Sequence, residues 1–191
     1  MNIIIRLLER SKLTHELLEF WQYGNTDNFW CGYVMDYNDT LVVIQHYSKY
    51  GIKDGILIWP IDKIQNIDFQ NDYIRCLQYV IDQANQPLVN NLPITLPNHD
   101  EWQFDLLVQL EGNQGFISSI EINGGSMYTG FVQDVTEEDF VISCISHIGN
   151  PEGNSLYKVN EISGFHLNDM DNQKRFDLYE WKKRSSTQTR Y

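Results

Sequence analysis

The sequence predicts a mainly β protein of the α+β class. It reads as two tandem small β-barrels, each opened by a helical segment, joined by a Pro/Asn-rich linker. The first observation behind this reading is a duplication. Trp30-Cys31-Gly32-Tyr33-Val34, followed by Asp36, returns as Tyr128-Thr129-Gly130-Phe131-Val132, followed by Asp134, and Ile61-Asp62-Lys63-Ile64 returns as Val159-Asn160-Glu161-Ile162, both at an offset of 98 residues. A fixed internal period marks one supersecondary unit used twice. The second observation is strand patterning: short apolar or alternating runs are broken by turn residues at regular spacing. The third is the join, where three of the five prolines (Pro87, Pro93, Pro97) fall among asparagines between 83 and 99. Proline fixes φ and pushes the preceding residue to extended geometry, so this stretch reads as a semi-rigid linker.

The elements are clearest in the second copy. Residues 102–110 place Phe104, Leu106, Leu107 and Leu110 on one helical face, and Gly112-Asn113-Gln114-Gly115 stops that helix. Residues 116–122 alternate and suit a half-buried strand. Asn123-Gly124-Gly125 is a hairpin turn, since positive φ costs Gly nothing and Asn little. Strands at 127–135 and 140–146 flank the polar turn Thr136-Glu137-Glu138-Asp139. A longer loop leads to a strand at 156–159, a tight turn at Asn160-Glu161, and a last strand at 162–167. One helix and five short strands suit a closed barrel, because closure removes edges that so short a sheet cannot protect.

The first copy follows the same order with one conflict. Leu13, Leu17, Phe20 and Trp21 have helical spacing, whereas alignment to the second copy makes 17–23 a strand, and the repeat outweighs the local period. Pro60 falls at a strand end before a turn, where its missing N–H does least harm. The expected organisation is therefore a first barrel over 1–82, a linker over 83–99, a second barrel over 100–181 and a basic flexible tail over 182–191. Gly32 should superpose on Gly130 and Ile64 on Ile162. Both glycines should lie mid-strand where neighbouring backbone or an aromatic ring crosses closely, because a strand interior otherwise disfavours Gly.

Composition narrows the function classes. Fourteen Lys and Arg against 26 Asp and Glu give a net charge of −12, and 25 aromatic residues are enough to fill two cores. So acidic a surface repels phosphate backbones and anionic membranes, which makes nucleic acid and membrane poor partners and a basic protein a good one. Cys31, Cys76 and Cys144 are odd in number and lack CxxC spacing, which predicts structural thiols in the reducing cytoplasm. Arg6, Glu9 and Arg10 interrupt the apolar opening too early for a signal-peptide core, and the longest apolar run, 56–61, is far short of a membrane span.

The order of helix, strand, NGG turn, strand with Gly-x-Val, acidic turn, apolar strand, long loop, strand, tight turn and strand resembles the Sm-like fold, and more loosely other SH3-like barrels. That resemblance implies single-stranded RNA binding as rings. Its residue-level marks do not carry over. Asp36 and Asp134 lie only four residues after their glycines, the second copy has Thr136-Glu137-Glu138 where an Asn is expected, and Asp62-Lys63 and Asn160-Glu161 replace an Arg-Gly step. The segment Gly51-Ile52-Lys53-Asp54-Gly55 is also similar to a Gly-x-x-Asp-Gly loop of uncharacterised bacterial proteins.

No catalytic constellation stands out. His15, His46, His99, His147 and His166 show no helical metal spacing, and His46 and His147 read as loop residues. No nucleophile elbow or phosphate loop is present, and Asp36-Tyr37-Asn38-Asp39 lacks the ligand count of a calcium loop. The expectation is a protein that is not an enzyme and uses no cofactor or metal. Two surfaces remain as partner-binding candidates. One is the long loop of the first copy, with Tyr47, Lys49, Tyr50 and Lys53, since Tyr and Lys on a loop held by a rigid barrel compose a recognition surface. The other is the acidic turn Glu137-Glu138-Asp139, suited to a basic protein. The leading expectation is an adaptor or inhibitor/immunity-like interaction module. The alternative is an Sm-like single-stranded RNA-binding protein using the Tyr/Lys loop and the basic tail.

Overall fold

The computed structural model describes residues 2–84, 93–98, 100–113 and 115–188. Most of the expected linker thus lies outside the described residues. The chain divides into two compact units, Met1–Asp100 and Glu101–Tyr191.

The first unit opens with α1 (Ile3–Thr14), whose N-cap Asn2 accepts from the Ile4 N–H and whose C-cap His15 turns left-handed. Five strands follow: β1 (Leu18–Gln22), β2 (Asn25–Tyr37), β3 (Leu41–Tyr47), β4 (Lys53–Pro60) and β5 (Ile64–Asp68), with a 3-10 turn at Ile61–Lys63 before the last. The unit closes with α2 (Asp72–Gln83). Its strands pair antiparallel in the order β5-β1-β2-β3-β4. The second unit repeats the order: α3 (Trp102–Leu110), β6 (Ser118–Ile122), β7 (Ser126–Gln133), β8 (Asp139–Ile145), β9 (Pro151–Lys158), a 3-10 turn at Val159–Glu161, β10 (Ile162–Leu167) and α4 (Met170–Gln188). Its antiparallel order is β10-β6-β7-β8-β9. The secondary structure is therefore mainly β with four helices. The ladders within each unit form an open order, so the pairing stops short of the closed barrel expected from sequence.

Turn hydrogen bonds recur at the sequence offset. Ser48 N–H donates to Ile52 O and Gly51 N–H to Ser48 O; Ser146 N–H donates to Asn150 O and Gly149 N–H to Ser146 O. Asn38 N–H donates to Leu41 O and Ile61 N–H to Thr40 O, as Thr136 N–H does to Asp139 O and Val159 N–H to Glu138 O. Gly32 lies opposite His46, and a Cβ built on it would stand 2.2 Å from Gln45 O; on Gly130, opposite Cys144, it would stand 2.1 Å from Ser143 O. Both glycines sit mid-strand against crossing backbone, as expected.

Each sheet carries apolar side chains on both faces. In the first unit Leu8, Leu18, Phe20, Val34, Ile44 and Trp59 pack on the α1 side, while Leu17, Cys31, Tyr33 and Tyr47 pack under Ile74, Leu77 and Ile81 of α2. Ser11 of α1 is buried and ties helix to sheet: its hydroxyl donates to Glu16 O at 2.7 Å and accepts from Val34 N–H at 3.0 Å, beside the register shift in β2. In the second unit Phe176 and Tyr179 of α4 pack on Ile117, Phe131 and Ile145. These two helices were not anticipated, and they change the expected boundaries. α2 takes in Gln83, assigned above to the linker, and Lys182, Lys183 and Arg184, expected in a flexible tail, lie within α4.

Candidate functional site

The structure separates the expected partner-binding residues. Tyr47 is 1 % exposed at the end of β3, its hydroxyl 3.3 Å from that of Tyr33 and its pKa raised by burial. It belongs to the core under α2 and is corrected from recognition residue to packing residue. Lys49 and Tyr50 remain at the surface, the Lys49 ammonium 5.2 Å from the Tyr50 ring centre and Tyr50 67 % exposed. Lys53 opens β4 half-buried, and desolvation lowers its pKa. His46 is likewise corrected: it lies inside β3, buried 5.1 Å from the Trp30 ring, with its pKa lowered by burial. His147 does lie in an exposed loop.

In the second unit Thr136 builds the acidic turn. Its hydroxyl accepts from the Glu138 and Asp139 N–H groups and donates to Asp139. Asp139 is further held by Lys158 at 3.7 Å, which leaves Glu137 and Glu138 as the exposed carboxylates of the turn. Asp36, the other acidic-turn residue considered, accepts from Lys12 at 2.6 Å.

Both long loops are clamped onto the closing helix of their unit. Gly51 has φ +72°, and a Cβ there would meet Val80 Cγ1 at 2.7 Å; Gly149 has φ +75°, and a Cβ would meet the Tyr179 N and Leu178 Cβ atoms at 2.6 Å. Only Gly fits such a left-handed, close-packed position. The clamp in the first unit seats Gly51, which lies between the exposed Tyr50 and Ile52, against Val80 of α2, where Tyr79 and Val80 are themselves exposed.

Beside that face, between the start of β1 and α2, runs a groove of about 500 Å³ lined by Glu16, Leu17, Gln70, Ile74, Arg75, Gln78, Tyr79 and Asp82. Two of its three charged groups are compensated. Glu16 takes the Arg10 guanidinium at 2.6 Å, and Arg75 pairs with Asp72. A polar tie beneath the groove fixes the helix start. The N-cap Asn71 accepts from Ile74 N–H and donates to Glu19 Oε2 at 2.6 Å. Glu19 is 4 % exposed, and burial raises its pKa, with Asp68 adding to the effect. Burial, with the Glu19 charge, pushes the neighbouring Cys31 thiol up to about 12, so this thiol is inert at neutral pH. In the second unit a hydroxyl–amide tie does the same work: Ser119 donates to Asn172 Oδ1 at 2.8 Å, and Asn172 donates to His166 O.

Sequence reading missed the groove because it missed α2. The signal was present as Asn71, an N-cap, followed by Ile74, Leu77 and Ile81 at helical spacing, and as Gly51 and Gly149 at the repeat's own offset. Among the described residues no three His, Cys, Asp or Glu side chains gather as a metal site, and no helix is long and apolar enough to cross a membrane. Comparison with protein-family models, curated proteins and solved structures finds no match to this chain.

Proposed function

We propose that the protein is a non-catalytic protein-interaction module, adaptor- or inhibitor-like, that recognises a basic protein partner. The observation that carries this reading is the exposed set Tyr50, Ile52, Tyr79 and Val80 on a support that Gly51 locks in place. Exposed aromatic and aliphatic side chains on a rigid base lose little entropy on docking, which is the composition of an interface hot spot. The net charge of −12, with Glu137 and Glu138 exposed, favours a basic partner through its association rate. We read the two units as a tandem duplication of one small β-unit of the SH3-like, Sm-like kind whose strand ladder stays open. The shared element order, the 3-10 turn before each last strand and the 98-residue recurrence of turn hydrogen bonds support that reading. Three unpaired cysteines accord with a reducing cytoplasm.

The immobilised 191-residue chain, exposed to extract of the cells that encode it, tests the proposal. A basic protein should be retained by wild type and lost by the double variant Tyr50→Ser, Ile52→Ser. Retention of single-stranded RNA at low salt, or a partner indifferent to the double variant, would overturn it.

A further inference from the structure

The two units fill the same groove differently, and the difference indicates an occupant. β1 and β6 correspond through Leu18 opposite Gly32 and Ser118 opposite Gly130, so Glu16 corresponds to Phe116. The closing helices correspond at 98 residues. Gln70 and Asn168 are both left-handed, and Asn71 and Asp169 both accept from the N–H three residues on. Gln78 therefore corresponds to Phe176 and Asp82 to Glu180. In the second unit Phe116 and Phe176 line the groove and reduce it to about 270 Å³, while Glu180 has a cation of its own, Lys183, at 3.7 Å. The second unit thus supplies two aromatic rings and an ammonium from within the chain. At the corresponding positions the first unit has Glu16 and Gln78 in place of the rings, and the cation that lines its groove, Arg75, is taken up by Asp72. Its groove is nearly twice as large and keeps an apolar floor of Leu17 and Ile74 with Tyr79 as an exposed wall.

Asp82 sharpens the contrast. It stands in the last turn of α2, where helix carbonyls present their negative end and a carboxylate is disfavoured. Among the described residues its hydrogen-bond partner is the neutral amide of Gln78, at 2.8 Å, and no cation pairs with it. A visiting ammonium or guanidinium would answer both the side chain and the helix end.

We propose that the groove between β1 and α2 of the first unit binds a peptide segment of the partner that inserts one large apolar side chain, phenylalanine-like, beside a Lys or Arg that meets Asp82. This rests on the interaction-module reading and names the chemistry of the segment recognised. The peptide replaces, between two molecules, the rings and cation that the second unit holds internally.

The test is titration of the ¹⁵N-labelled full chain with acetyl-Lys-Lys-Phe-Lys-Lys-amide, alongside the same peptide with Ala for Phe and one with Glu for every Lys. The Phe peptide should saturably shift the Leu17, Ile74, Gln78 and Tyr79 amides, and the Ala peptide should bind at least about tenfold more weakly, the ratio expected from burying one ring. Asp82→Lys should weaken binding by about threefold to tenfold, as should the Glu peptide, with amides far from the groove unmoved. Tyr79→Ala, at a side chain 65 % exposed, removes the wall without touching the core and should also weaken it. Equal binding of the Ala peptide, shifts confined to Glu137 and Glu138, or no shift at all would overturn the proposal. Shifts at Tyr50 and Ile52 without shifts in the groove would overturn it while leaving the interaction-module reading intact.

Discussion

Replacing Gly32 by Ala tests the fold at its tightest point. The added Cβ would stand 2.2 Å from Gln45 O and 2.7 Å from Ile44 Cγ2. Carbon–oxygen contacts across strands run at about 3.3–3.6 Å, so β3 must retreat from β2 by about 1 Å. Overpacking of this kind costs about 1–3 kcal/mol, and a weakened ladder hydrogen bond beside it about 1 kcal/mol more. Against this, Ala gains about 0.5–1 kcal/mol over Gly in a strand through the unfolded chain. The net loss is about 2 kcal/mol, which at a urea slope of about 2 kcal/mol/M lowers the midpoint by about 1 M. The control is Gly125→Ala, where a Cβ meets nothing within 4 Å and the midpoint should hold. Urea unfolding followed by tryptophan fluorescence reads both. An unchanged midpoint for Gly32→Ala would refute the close crossing and, with it, the register of β2 against β3.

Three other perturbations probe the rest. Ser11→Ala leaves the buried Val34 N–H without its acceptor, and should cost about 1–3 kcal/mol in chemical unfolding; a neutral result would mean that α1 does not hold the β2 irregularity. Glu19 has a raised pKa, so its charged form is disfavoured in the folded state: stability is greatest below the unfolded value near 4.5 and falls as pH rises through the folded value. Glu19→Gln, which keeps an acceptor for Asn71, should therefore melt higher than wild type at pH 7 and lose that advantage at pH 4; a lower melting temperature at pH 7 would contradict the assignment. Glu137→Ser with Glu138→Ser should leave melting unchanged and slow association with a basic partner at low salt, an effect that salt screens over roughly 8 Å; an unaltered on-rate in stopped flow would reduce the turn to a solvated loop.

What was legible in the sequence follows from which signals were local. The helix over Trp102–Leu110 was readable because its apolar face and its Gly stop sit within a dozen residues. The strand Leu18–Gln22 was readable only through the repeat, since Leu13, Leu17, Phe20 and Trp21 alone suggest a helix; in the structure Leu13 lies in the last turn of α1, Leu17 just before β1, and Phe20 and Trp21 within it. Tyr47 was misread because every residue of β3 is buried, so no alternation separates core from surface. The cause is α2, which covers the outer face. Without that helix in view, a Tyr-rich loop looks wholly exposed, and the groove beside it has no wall. The finer point, that Glu16 stands where the second unit has Phe116, required the β1 and β6 registers, because these strands correspond at an offset of 100 rather than the 98 of the quoted repeat.

On the proposed function, a basic protein docks on the surface formed by the β3–β4 loop and α2. Hydrogen–deuterium exchange of the full chain, alone and saturated with the partner recovered from native-cell extract, tests it most directly. Protection should concentrate at residues 48–52 and 74–83, with the Thr136–Asp139 turn little changed in its amide exchange. Protection confined to α4 and the 136–139 turn, or spread over the chain without a maximum at α2, would contradict the account.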